Sequence, residues 1–417
     1  MQEINPRQQS RSLYLPLAVA IAVTAPNLSA DPISHALTTG ESYLETRYRY
    51  ELVDQDDAND DARASTLRAR LGYESGTVMG FSGLMEVDHI THVGPKLYSD
   101  SPADGTSDRP VVADPATTQL NQAYLRFQGL PDTDIKYGRQ RLALDNHRFI
   151  GTVGWRQNEQ TYDGATLVNE SLPDTTLTAG YLYNANRIFA NAGSLDNHRM
   201  RSGVLNARYE GLALGSLTGY SYLLSFSDSE QLSTQTYGLR FSGDTAITPD
   251  VEGLYELEYA YQDDYDNNPD DFNNDYYKVE GGVKASGVTV KAGREVLGSD
   301  SGNASFSTPL ATLHAMNGWA DQFLSTGTPQ GLPNGLRDTY LTLSGQFQGV
   351  NLMAVYHTFE SDRNSIDYGD EFGLQATYGF GEHYTVGAKA ASYSSDDDAG
   401  NPTEDTDKVW LWVNASF

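Results

Sequence analysis

Cysteine is absent from the 417 residues. That excludes disulfides, thiolate metal sites and a cysteine nucleophile. Long hydrophobic runs are missing too: hydrophobic residues make up 39% of the chain, and nothing beyond the N-terminus approaches the ~20 apolar residues of a membrane-crossing helix. Cations are scarce, with 28 Lys and Arg against 56 Asp and Glu, for a formal net charge of −28. So acidic a chain is a poor partner for nucleic acid. No HExxH and no GxSxG occurs, which removes two common hydrolase signatures.

What the chain does have is 27 Tyr, 14 Phe and 39 Gly, too aromatic for a disordered acidic polymer and suited to strands. At the N-terminus Arg7 and Arg11 precede the apolar run "LYLPLAVAIAVTA" at 13–25, and "LSA" at 28–30 precedes Asp31. A charged start, a short apolar middle and small residues before a cleavage point predict a secretory signal peptide over residues 1–30. Residues 31–417 are then the folded chain.

From residue 42 on, apolar and polar residues alternate. In "SYLETRYRYELV" Leu44, Tyr48, Tyr50 and Leu52 fall on one face, and Glu45, Arg47, Arg49 and Glu51 on the other. The C-terminal "VWLWVNASF" puts Val409, Leu411, Val413, Ala415 and Phe417 on one face, and Trp410 and Trp412 opposite. Period two means strands with one apolar face. Eighteen such stretches fit, from 42–53 to 406–417. Connections after even-numbered strands are mostly tight, as at 75–77, 211–214 and 286–287. Those after odd-numbered strands are mostly longer and acidic, as at 90–116, 145–159, 264–274 and 299–336. Loop length segregated by rim, with an even strand count, predicts an all-β transmembrane antiparallel barrel of eighteen strands in the outer membrane, with short periplasmic turns and long extracellular loops. The last strand then pairs with the first, and Phe417 is a candidate signal for the barrel-assembly machinery.

On this register Arg47, Arg49, Arg68, Arg70, Arg126, Arg139 and Arg141 point inward from the first five strands, and Arg240 from the tenth. Glu45, Glu51, Glu86, Asp88, Glu252, Glu256 and Glu258 share the lumen. Two readings stand: ladders of Arg–Glu pairs that hold a water-filled wall in shape, or a basic track that binds anions. In the connection 299–336, Thr308-Pro309 reads as a helix start, and Leu310, Leu313, Met316, Trp319 and Phe323 recur at helical spacing. An amphipathic helix is expected there, either packed at the mouth or serving as a constriction or lid. The acidic loops 54–61, 263–275 and 396–405 read as a solvated rim; Ca²⁺ binding, or divalent bridging to lipopolysaccharide phosphates, is the alternative. No cofactor, resident metal or catalytic residue is expected, with His147 or His198 beside a loop serine as the remote hydrolase alternative.

The segments "YRYELVDQDDANDDARASTLRARLGYESG", "YGRQRLALDNHRFIGTVGWRQNEQTYDG" and "VLGSDSGNASFSTPLATLHAMNGWADQFL" resemble the alginate export porin family, and the resemblance runs through the whole mature chain. It implies an eighteen-stranded outer-membrane barrel that passes an anionic polysaccharide through an arginine-rich pore. Arg47, Arg49, Arg68, Arg70, Arg126, Arg139 and Arg141 match such a wall in type and location. A general or nutrient-uptake porin for small solutes remains the other reading.

Overall fold

The structure, a computed structural model, describes residues 30–102, 108–190 and 195–417. The expected signal peptide lies, but for Ala30, outside the described residues. The described chain opens with a short helix, α1 (Ala30–Thr38), and continues as strands β1 (Glu41–Gln55), β2 (Ala62–Glu74), β3 (Phe81–His92), β4 (Thr117–Phe127), β5 (Thr133–Gln140) and β6 (Thr161–Leu172). Next come β7 (Thr175–Asn186), β8 (Asn197–Leu212), β9 (Gly215–Leu224), β10 (Thr234–Thr248), β11 (Val251–Asp264) and β12 (Asn273–Ala285). The last six are β13 (Val288–Leu297), β14 (Leu336–Phe347), β15 (Val350–Glu360), β16 (Asp367–Phe380), β17 (Tyr384–Ser395) and β18 (Thr406–Ser416).

Every strand pairs antiparallel with its neighbours in sequence, and β1 pairs with β18 in register from Glu45↔Ser416 to Gln55↔Thr406. The sheet is therefore closed. The seam ends on Phe417, whose N–H donates to Leu44 O at 2.9 Å while Leu44 N–H donates to Phe417 O at 3.0 Å. Closure leaves no strand edge unpaired in lipid.

Connections alternate by rim. On one they run 75–80, 128–132, 173–174, 213–214, 249–250, 286–287, 348–349 and 381–383; on the other 56–61, 93–116, 141–160, 187–196, 225–233, 265–272, 298–335, 361–366 and 396–405. The two-residue turns Ser286-Gly287 and Gln348-Gly349 have positive φ at both positions, the backbone whose twist matches the flanking strands.

Outward positions form an apolar belt that includes Leu71, Leu125, Leu205, Leu239, Leu257, Leu341, Leu374 and Leu411, all exposed. Aromatics flank it: Tyr181, Tyr237, Tyr259, Tyr277 and Tyr356 toward the long-connection rim, and Phe81, Tyr209, Phe347, Tyr378, Tyr384 and Phe417 toward the other. An apolar band between two aromatic girdles is the exterior of a barrel in lipid. Among the described residues no helix is long and apolar enough to cross a membrane. Helix α1 lies against the short-turn rim, with Gly76 N–H donating to Ala36 O at 2.8 Å.

The core lies inside the barrel. Buried side chains of the wall (Tyr162, Tyr222, Tyr276, Phe359, Tyr393, Trp410) join Phe149, Ile150, Phe306, Leu310 and Phe323 from two connections into one cluster. Those connections, 141–160 and 298–335, fold into the lumen instead of over the rim. This corrects the reading of 145–159 as a rim loop.

Candidate functional site

The arginine wall starts at the β1–β2 seam, where Arg47 lies directly opposite Arg68 and Glu45 opposite Arg70. Facing like charges repel. Here the repulsion is relieved by backbone oxygens of the inward connection. Arg47 donates to Gly154 O at 3.1 Å, to Gln157 Oε1 at 3.1 Å and to Arg156 O. Arg49 donates to Trp155 O, and Arg68 to Gln157 O at 3.4 Å. Four successive carbonyls, 154 to 157, thus lie along three guanidinium groups. Arg47 has no carboxylate partner among the described residues.

The remaining arginines are paired with acids. Arg49 binds Asp114; burial alone would raise the Asp114 carboxyl, but Arg49 and Arg156 hold it below the usual range. Arg70 grips Asp88 with two bonds, at 2.7 and 2.8 Å, and reaches Glu159 at 2.6 Å. Arg141 bonds Glu86 at 2.6 Å and also Glu159. Against the effect of burial, Arg141 and Arg70 bring the Glu159 carboxyl down to about 2. Arg126 pairs with Asp134 at 2.6 Å, and Arg139 with Asp163 at 2.8 Å. One expected position shifts: Arg141 lies just past the end of β5, in the inward connection. Arg240 lies on β10, bonded to Glu256, which also binds Lys278 at 2.8 Å.

The expected helix over 310–323 is not formed. The connection 298–335 holds only two turns of 3₁₀ helix, Leu313–Ala315 and Leu324–Gly327. Asn317, Gly318 and Asp321 have φ of 52°, 87° and 64°, a left-handed backbone that cannot continue a right-handed helix. The N–H groups freed by this route find wall acceptors: Ser307 N–H bonds Gln262 Oε1 at 2.8 Å, and Trp319 and Ala320 N–H both bond the Glu371 carboxylate. The four residues expected at a constriction separate. Phe323 is fixed to the wall against Phe359, at 4.4 Å between ring centroids, and Trp319 packs over Lys389. Leu313 lines a cavity at the mouth, and Met316 is half-buried.

The two inward connections meet at Trp155 and Asp321. His314 stacks on Trp155 with ring centroids 4.7 Å apart and an angle of 8°. Its Nδ1 lies 2.7 Å from Asp321 Oδ1 and its Nε2 3.3 Å from Lys389 Nζ. With Nδ1–H donating and Nε2 accepting, His314 is neutral. Burial pushes it down to about 3, with Lys389 and Arg156 opposing the help of Asp321. Asp321 Oδ2 takes Arg156 Nη2 at 3.2 Å and Lys408 Nζ at 2.9 Å, and these cations with His314 hold its carboxyl well below the usual range despite burial. Lys389 Nζ lies 4.1 Å from the Trp155 ring and 4.2 Å from that of Trp319. Trp410 is fully buried, edge-on to Trp155 at 5.8 Å.

Sequence reasoning missed Arg148, Arg156, Gln157 and Glu159, all buried in the first inward connection. Arg148 forms an ion pair with Glu295 at 3.0 Å and donates to Asn317 Oδ1 at 3.0 Å. The available signal was Phe149, Ile150 and Trp155, bulky apolar residues in a stretch assigned to the water-exposed rim. Of the histidines considered for hydrolysis, His198 faces Ser229 and Asp228 with one ring nitrogen, Nδ1, at 3.3 and 3.6 Å, so it cannot relay a proton between them. His147 Nδ1 reaches only Thr312 Oγ1, at 3.5 Å. Among the described residues no group of three or more His, Asp or Glu is placed to hold a metal ion.

The family model described as alginate export matches residues 45–292. Solved structures share the fold across nearly the whole chain. OccK9 (OpdG) of Pseudomonas aeruginosa is 15% identical, with 92% of this chain and 99% of that one covered and a TM-score of 0.71. OccAB2 of Acinetobacter baumannii gives the same four values. OccK1 (OpdK) of Pseudomonas aeruginosa is 14% identical, covering 91% of this chain and 99% of that one, with a TM-score of 0.69. No curated protein matches the sequence.

Proposed function

The chain belongs to the alginate export family of outer-membrane channels, and from that footing we propose that it passes anionic poly- or oligosaccharide along the arginine wall of β1 and β2. The observation that carries this reading is the row of carbonyls at 154–157 held by Arg47, Arg49 and Arg68. These guanidinium groups already bind a run of oxygen acceptors. The carboxylates of an acidic saccharide are stronger acceptors than amide carbonyls. Such a chain would compete for the wall once residues 153–160 yield. Arg47 is the first residue to exchange partners, since no carboxylate holds it.

The second reading, a nutrient-uptake or general porin for small solutes, is favoured by the ion pairs of Arg70, Arg126, Arg139 and Arg141. Pairing leaves the wall near charge balance and lowers its preference for a polyanion. In either reading residues 1–30 act as an export signal, Phe417 is the feature the barrel-assembly machinery reads, and the long acidic connections form a solvated rim beside lipopolysaccharide and outer-membrane lipid.

The test is single-channel current through the refolded barrel with an oligouronate or a neutral oligosaccharide of equal length added. Block by the oligouronate at concentrations where the neutral sugar has no effect supports the polysaccharide reading. Equal effects of both favour the general porin.

A further inference from the structure

A cavity of about 750 Å³ opens at the long-connection rim, between 55–59, the β3–β4 connection, the two inward connections and both ends of the β7–β8 connection. Its volume falls within the roughly 300–1,000 Å³ of small-molecule sites. Four cations line it: Arg109, Arg156, Arg187 and Lys408. Three are engaged by acids, Arg109 by Asp60, Arg156 by Glu51 and Asp321, and Lys408 by Asp321. Arg187 is not. Among the described residues its guanidinium has no hydrogen bond or ion pair, and its neighbour is the ring of Phe189, 5.4 Å away. Burial without an opposing charge pushes this group down from its ordinary value. Because a guanidinium stays protonated, the cost of partial desolvation is borne by the free protein and is relieved by an anion that enters.

The rest of the lining defines what such an anion carries. Ile188, Leu195, Pro309, Leu313 and Leu324 join Phe189 around the space, and Gln55, Asn59, Gln160, Gln322 and Ser325 supply its neutral polar groups. A sugar ring placed against the apolar side chains would leave hydroxyls facing hydrocarbon without partners, at a cost of about 1–3 kcal/mol each. Asp57 and Asp108, also in the lining, disfavour a second negative charge.

We propose that this mouth cavity binds a monocarboxylate carried on an apolar body, with Arg187 receiving the carboxylate. The site is separate from the arginine wall of β1 and β2, so it offers an acidic apolar solute a place that a uronate polymer does not use.

Calorimetric titration of the refolded full chain in detergent tests this without requiring conduction, so its outcome is independent of the polysaccharide reading. The probe is 4-phenylbutyrate, compared with neutral 4-phenylbutyramide and with glucuronate. The expected result is saturable binding of phenylbutyrate only, weakened at least about tenfold in Arg187→Gln and in part retained in Arg187→Lys. Heat-modifiable gel migration shows that the variants fold. Absence of phenylbutyrate binding to the folded wild type, equal binding of the amide, equal binding of glucuronate, or unchanged affinity in folded Arg187→Gln would each overturn the proposal.

Discussion

Arg156 and Asp321 meet at 3.2 Å, and they come from the two different connections that fold into the barrel. Lys408 of β18 reaches the same carboxylate at 2.9 Å. One buried acid therefore joins both inward segments to each other and to the wall. Asp321→Asn would leave Lys408 without an acid and weaken the hold on Arg156. Removing one partner of a buried pair costs about 3–5 kcal/mol. The expected outcome is a folded barrel with larger and noisier single-channel conductance than wild type. Unchanged conductance would mean that the inward segments do not depend on this contact.

Acid should loosen the same junction. His314 in the folded chain is held to about 3, against 6.5 ordinarily, so between these values the unfolded chain binds a proton that the folded chain does not. Stability of the junction is full above about pH 6.5 and declines as pH falls, levelling near 3. Asp321, held below its ordinary 3.8, adds a loss that begins only as pH falls through that value. Conductance should thus rise between pH 7 and pH 4.5, and His314→Gln should flatten that rise while leaving any change below pH 4. A flat wild-type profile over this range would contradict the assignment.

Trp412 depends on Gly387, its partner across β17 and β18. A Cβ at 387 would lie 2.0 Å from Trp412 Cζ2. Gly387→Ala forces the indole off its place against Trp155, where the rings are 5.4 Å apart. Overpacking of this kind costs about 1–3 kcal/mol. A red-shifted tryptophan emission in a still-folded barrel is the expected signature; an unshifted spectrum would count against the packing described.

The seam of β1 with β18 ends at the backbone pair of Leu44 and Phe417. Loss of residues 409–417 removes most of the closing strand and should abolish heat-modifiable barrel in the membrane fraction. Phe417→Ala keeps the backbone bonds and tests the ring alone, with reduced insertion expected. Equal yields of folded barrel from wild type and both variants would refute a closing role.

Much of the architecture was legible because lipid imposes it. Leu411 outward and Trp410 inward follow from period two alone, and so does the count of eighteen strands. The lumen was harder to read. Leu310 and Phe323 are buried, as a helical face would have it, yet Glu371 and Gln262 of the wall supply the acceptors that a helix would have supplied internally. Tertiary partners and the left-handed residues Asn317, Gly318 and Asp321 replaced local pattern there. The partners of Arg47, Arg49 and Arg68 were not legible, because they come from residues 154–157, distant in sequence and without any periodicity to reveal them.

The central claim is that the wall of Arg47, Arg49 and Arg68 gives the channel a preference for anions despite the chain's net charge of −28. The acids of the connections 56–61, 265–272 and 396–405 lie at the rim, and charges more than about 10 Å apart are screened at 0.1 M salt. The most direct measurement is the reversal potential of the refolded barrel in a tenfold gradient of potassium chloride, for wild type and for Arg47→Gln, which removes the one wall arginine without an acid partner and so strands no carboxylate. Anion preference in wild type that falls in Arg47→Gln is the predicted result. Cation preference in wild type would contradict the account and leave the arginines as structural partners of their acids.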